Sequence, residues 1–331
     1  MTTTTQGEIA TMVDARCPRS RPCARRQAGR LGVLGVVCLA LALPGCSIKT
    51  MAVKTMADAL SQGTSSFATD DDPELIKDAL PFGLKTFEGM LDTLPTHRPL
   101  LRSVAAGFTS YSAAFIQPEI RGLEDVDLDV ARAQKVRARR MFIRARDYGL
   151  RALEVGYPNL RQKLMQDPKA ALAKTVKKDV PDLYWTAAAW GSAISLGKDQ
   201  MDLIGDVPIV DALIHRALEL DEPWDAGSLT EFMIAFESRG DAQGGSLDRA
   251  RTYFTRTMEL AKGKRISPLV SLAENVSITN QNRAEFDTLL DEALAFDCDT
   301  YPESRLVNLL AQKRARQLKA LAGSLFLEEK S

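Results

Sequence analysis

The stretch LYWTAAAWGSAISLGKD, Leu183–Asp199, decides how this chain is built. It carries two of the three tryptophans, no charge before Lys198, and otherwise mostly alanine, glycine and serine. Three readings compete: a membrane span, a core helix, or the wall of a cavity that something enters. A span needs ~20 apolar residues, and this run is too short and too polar. At ~100° per residue, Leu183, Ala187, Trp190 and Ile194 share one stripe. Trp185, Ala189, Ser192 and Leu196 lie roughly opposite. A helix apolar on opposite faces is buried on both. Between the two runs a small stripe, Ala188, Gly191 and Ser195, which admits either a close helix or a ligand.

The whole chain sets the limits around that helix. Of 331 residues 45% are hydrophobic and 26% charged, with Lys+Arg 43 balancing Asp+Glu 43. That is the composition of a globular protein with room for one large or two ordinary domains. Zero net charge argues against a nucleic-acid partner, which demands a basic surplus. His97 and His215 are the two histidines, and neither has a cysteine or second histidine at ligand spacing, so no metal centre is expected. Neither GxGxxG, GxxxxGK[ST] nor GxSxG occurs, so the expectation is no cofactor and no enzyme.

The amino terminus reads as an export signal. Six arginines between Arg16 and Arg30 precede an unbroken apolar run, Leu31 to Leu43. The run is too short to cross a bilayer and ends in small residues, as a cleaved signal does. Leu43-Pro44-Gly45-Cys46 resembles the bacterial lipobox, which implies lipidation of Cys46 and a mature chain starting there. Ser47 after the cysteine favours the outer membrane over the inner. Cys17, Cys23 and Cys38 leave with the signal, so only Cys298 remains inside and no intrachain disulfide forms. The expected divisions are 1–45 as signal, 46–71 as lipidated N-terminus and tether, and 72–331 as one all-helical domain.

Helix follows helix in that domain. Asp72 before Pro73 is an N-cap with proline at the first helical position. Leu80, Leu84, Phe87, Leu91 and Leu94 then form one face, with Pro81 as a point of kink or restart. Leu101, Val104, Phe108, Tyr111 and Phe115 make the next stripe. From Glu124 to Asp129 acids lead an arginine-rich helix, a polarity that suits the helix dipole. Its arginines read as a solvated face paired with nearby acids.

Four segments share an ending: RALEV (Arg151–Val155), RALEL (Arg216–Leu220), RTMEL (Arg256–Leu260) and EALAF (Glu292–Phe296). Their starts are 65, 40 and 36 residues apart, and the last two spacings are near helix-hairpin repeat periods of ~34 to ~47. Ala250, Phe254 and Thr257 fit the small–aromatic–small pattern of a tetratricopeptide second helix. Hairpins of this kind bury their faces only against neighbours. The fold expected is therefore all-α, a degenerate tetratricopeptide-like stack of antiparallel hairpins.

Several segments together carry a family resemblance. ELIKDALPFGLKTFEGML (Glu74–Leu91), GFTSYSAAFIQPE (Gly107–Glu119), RARDYGLRALE (Arg144–Glu154), VPDLYWTAAAWGSAISLGKD (Val180–Asp199), VPIVDALIHRALELDE (Val207–Glu222) and SLAENVSITNQNRAEFDTLL (Ser271–Leu290) resemble the TatT component family of tripartite ATP-independent periplasmic (TRAP) transporters. The resemblance implies a periplasmic lipoprotein, trimeric, with a pore or cleft in each protomer, working beside the substrate-binding P subunit. It further implies a small hydrophobic ligand such as an organic acid. A non-catalytic envelope scaffold is the other reading, and the interior separates the two. A scaffold fills its stack with large aliphatics, whereas a conduit sets small residues beside aromatics. Candidate cavity residues are Phe108, Tyr111, Phe115, Tyr184, Trp185 and Trp190, with Asn275, Asn280 and Asn282 at a mouth.

Overall fold

A computed structural model describes residues 46–62, 65–124 and 126–327. The signal segment, with its lipobox residues before Cys46, lies outside them. Contacts divide the chain into Met1–Lys49 and Thr50–Ser331, and the helical core belongs to the second unit. Among the described residues every regular element is helical and no strand occurs. None of these helices is long and apolar enough to cross a membrane.

The elements run α1 (Cys46–Gln62), α2 (Ser65–Ala68), α3 (Pro73–Thr93) and α4 (Arg98–Tyr111). A π-helical turn (Ser112–Ile116) leads into α5 (Gln117–Glu124) and the long α6 (Leu128–Glu154). Next come α7 (Leu160–Gln166), α8 (Pro168–Leu172), α9 (Val180–Ser195), α10 (Met201–Ile204) and α11 (Val207–Asp221). After a tight turn (Trp224–Gly227) stand α12 (Ser228–Glu237), α13 (Leu247–Ala261) and α14 (Ser267–Leu272). A second π-helical turn (Ala273–Ser277) precedes α15 (Arg283–Ala295), α16 (Arg305–Ala320) and α17 (Ala322–Leu325).

Local chemistry sets the boundaries. Asp72 accepts the Glu74 and Leu75 amides at 3.0 Å, so the acid run before α3 includes a working cap. Helix α3 continues through Pro81 without restarting. Asp127 caps α6 in the same way. His97 caps α4 through Nδ1 while its Nε2 meets Asp58 at 2.8 Å, and the His215 ring bonds the Asp211 carbonyl. Both histidines therefore have structural partners.

The core lies in three clusters. The first joins α3, α4, α5 and α6 around Leu84, Leu101, Phe108 and Phe142. A second surrounds Leu150, Leu183, Trp190 and Leu213, and a third Ile234, Phe286, Leu290 and Leu318. The tryptophan helix α9 serves two of them. Leu183, Ala187, Trp190 and Ile194 enter the second cluster, while Ala189, Ala193 and Leu196 enter the first. The glycine of its small stripe takes neighbouring side chains, since a Cβ on Gly191 would sit 3.2 Å from the Phe232 ring and 3.6 Å from Val210, while Ser195 is exposed. On the other side α6 comes close because Gly149 has no side chain. A Cβ there would collide with Thr186 Oγ1 and stand 3.2 Å from the Thr186 Cα.

The four shared endings each fall in the last turn of a helix: α6, α11, α13 and α15. Three arginines in them do the same job. Arg151 bonds the Pro95 carbonyl, Arg216 the Thr175 carbonyl, and Arg256 the Glu222 carboxylate. Each target lies in the segment that leads into a neighbouring helix: α4, α9 or α12.

Candidate functional site

Helix α16 returns to the N-terminal helices, and the meeting is polar. Arg305 donates to the Thr69 carbonyl and Lys313 pairs with Glu74 at 2.5 Å. Arg314 donates to the Pro118 carbonyl just beyond the first π-helical turn and pairs with Glu274 inside the second. Inside this closure lies a cavity of about 940 Å³. One end is apolar, walled by Ile76, Leu80, Leu84 and Phe87 of α3 and by Leu306 and Leu310 of α16. Ala106 of α4, with Ala113 and Ala114 of the π-helical turn, keep that volume open by being small, while Gly107 admits the Leu84 side chain. Such turns carry one extra residue and often mark functional sites.

A second region of the wall is polar and aromatic. Trp185, Trp224, Asp225, Glu231, Arg265 and Ser267 line it. Tyr184 stands behind, its ring 4.9 Å from both Trp185 and Trp224. The turn that presents Trp224 is strained: Asp225 and Ala226 have φ of 50° and 53°, followed by Gly227 at 95°. Left-handed non-glycine residues cost about 1 kcal/mol or more each and persist where surroundings hold them. Arg265 supplies the hold, with Nη2 2.8 Å from Asp225 Oδ1 and Nη1 2.8 Å from both the Asp225 carbonyl and Ser228 Oγ.

Glu231 is different. It is the acid of SLTEFMIAFE that faces the cavity, and it forms no ion pair among the described residues. Burial pushes its carboxyl above the ordinary range, and Ser267 and Arg265 only partly offset this. Ser267 Oγ lies beside it without a hydrogen bond of good geometry. Burial also raises the Tyr184 hydroxyl.

A buried network fixes α9, and with it Trp185. Arg98 bonds Asp182 at 2.6 Å and Asp179 at 2.5 Å, and Arg102 bonds Asp182 at 2.5 Å. Tyr157 and the Val176 amide complete Asp179 at 2.5 and 2.9 Å. Burial opposes ionisation of Asp179, but the Tyr157 hydroxyl, the Val176 amide and Arg98 outweigh it and hold the carboxyl low. The same contact pushes the Tyr157 hydroxyl up to about 12, desolvation being the larger cause.

The sequence candidates separate on this map. Trp185 and Asn275 line the cavity. Tyr184 backs its aromatic end. Phe108, Tyr111 and Phe115 are buried in the first core cluster, with Phe108 against Tyr148 and Tyr111 against Phe115. Trp190 is 1% exposed, its indole donating to Asp206 at 3.0 Å beneath Arg146. Asn282 caps α15 through the Glu285 amide, and Asn280 is exposed. Trp224, Glu231, Arg265 and Arg314 are not singled out by sequence reasoning. Two signals point to the first pair: the third tryptophan before Asp-Ala-Gly, and a lone acid in an otherwise apolar helix face.

Comparison with known proteins gives the family. The family model of the TRAP transporter T-component matches residues 69–326. The chain belongs to the TRAP transporter T-component family. A relative in Treponema pallidum (strain Nichols), described as an uncharacterized protein, is 28% identical over 303 residues, covering 86% of this chain and 94% of the relative. Membership ties this T-component to TRAP transport and so to the cell envelope. The match starts before α3 and ends after α17, so it spans every residue of the cavity wall except Leu60, Phe67 and Ala68.

Proposed function

We propose that this T-component is an accessory lipoprotein, its helices a degenerate tetratricopeptide-like stack, that docks on the substrate-binding P subunit of a TRAP system and holds or passes a small apolar ligand. The observation that carries the reading is the cavity of about 940 Å³, whose wall joins an aliphatic region to polar and aromatic side chains. That is the size and character of a small-molecule site. A scaffold reading accounts for helix packing but gives no reason for an open volume whose wall sets small residues and two tryptophans together. The role is non-catalytic, acting in the periplasm, with Cys46 carrying lipid to the outer membrane and three copies assembling.

Native mass spectrometry of the protein recovered from its own membranes tests this. The expected spectrum shows a small-molecule adduct that Ala106→Trp, which fills the cavity, removes while the fold remains. A spectrum without adduct, or an adduct unchanged in the filled variant, contradicts the ligand role. Failure to co-purify the cognate P subunit contradicts docking.

A further inference from the structure

The charges on the cavity wall say which head group would be welcome, given that the cavity is a ligand site. Every cation there already has a carboxylate: Arg102 has Asp182, Arg265 has Asp225, Lys313 has Glu74 and Arg314 has Glu274. Among the acids, Asp225 and Glu274 are held in those pairs, and Glu303 is taken by Lys264 at 2.9 Å. Glu231 is the acid left over; Trp185 and Trp224 line the same cavity, each 4.9 Å ring to ring from the Tyr184 that faces Glu231. We propose that the polar end takes the ammonium head of an amphiphile, with Glu231 as counter-charge, Trp185 and Trp224 as aromatic walls, and the tail between α3 and α16.

Electrostatics and geometry both favour a cation. With Glu231 ionised, the Asp225–Arg265 pair cancels and the polar end carries one net negative charge. A carboxylate head would meet that charge, and the one unpartnered donor among the wall's cations, the Arg265 Nε–H, belongs to a guanidinium whose charge Asp225 already balances. Ammonium groups are attracted by indole faces as well as by carboxylates, most strongly when desolvated. The groups facing Glu231 are Tyr184 from α9, Asp225 from the strained turn, and Arg265 and Ser267 at the start of α14. Burial and Asp225 favour the protonated acid, while Ser267 and Arg265 favour the ionised one. A bound cation tips that balance towards ionisation. By linkage the cation binds better as pH rises through the Glu231 titration and is released as pH falls through it.

Calorimetric titration of the mature protein with decyltrimethylammonium, decanoate and decanol tests the proposal, since the three share a chain length. The expected order places decyltrimethylammonium about tenfold tighter than the other two, a factor well within what a carboxylate counter-charge shielded from bulk water supplies. Glu231→Gln is expected to erase that preference while decanol binding persists. In the wild-type protein decyltrimethylammonium affinity is expected to fall with falling pH while decanol stays level, which tests the point even if the variant fails to fold. Decanoate binding as tightly as the cation, a preference that survives Glu231→Gln, or a flat pH profile would overturn the head-group assignment alone. If none of the three binds, the ligand-site reading falls and the head-group assignment with it.

Discussion

At the scale of single residues, the two tryptophans of α9 do different work, and sequence alone does not say which does which. Trp190 is sealed into the second core cluster and anchored to Asp206, whereas Trp185 stands at the cavity wall. Trp190→Ala should therefore cost about 3–5 kcal/mol, as large aromatic truncations in packed cores do. Trp185→Ala should cost much less stability and instead weaken ligand retention. Equilibrium urea unfolding of the two variants checks this, and equal losses would refute the division. Helical phase places them on opposite faces, and that much is legible in the sequence. Which face meets a cavity depends on α3, α12 and α16, far away in the chain.

At the scale of elements, close approach decides the packing of α9 against α6 on one side and α11 and α12 on the other. Gly149 and Gly191 admit Thr186 and Phe232 respectively, and neither has a left-handed backbone that would demand glycine. Gly149→Ala is the sharper test, because its Cβ would meet the Thr186 backbone and not merely a movable side chain. Overpacking of this sort costs about 1–3 kcal/mol; a variant melting at the wild-type temperature would show that α6 and α9 can separate freely. Much at this scale is readable in advance. The capping Asp72, the stripe from Leu80 to Leu91 and the four shared endings all mark real helices. The π-helical turns at Ser112–Ile116 and Ala273–Ser277 are not, because a single extra residue leaves no periodic trace in five residues. Nor are the residues that Arg151, Arg216 and Arg256 reach, since each target precedes its arginine by 34 or more positions.

At the scale of the whole molecule, α16 closes on the first helices through Arg305, Lys313 and Arg314, and the closure leaves a volume that the core clusters do not fill. No local pattern announces this cavity. Its walls come from residues as distant as Ile76 and Leu310, each of which reads as ordinary core in its own helix. Family membership shows participation in TRAP transport; in the function proposed above, the cavity gives that participation a physical form. The central claim is that an apolar ligand occupies it. A crystal soaked with 10-bromodecanol, with the bromine located by anomalous scattering, puts that to the proof. Bromine is expected between Leu80 of α3 and Leu310 of α16, with the hydroxyl towards Trp185 and Glu231. Bromine confined to the outer surface, or a cavity holding only ordered water, would contradict it.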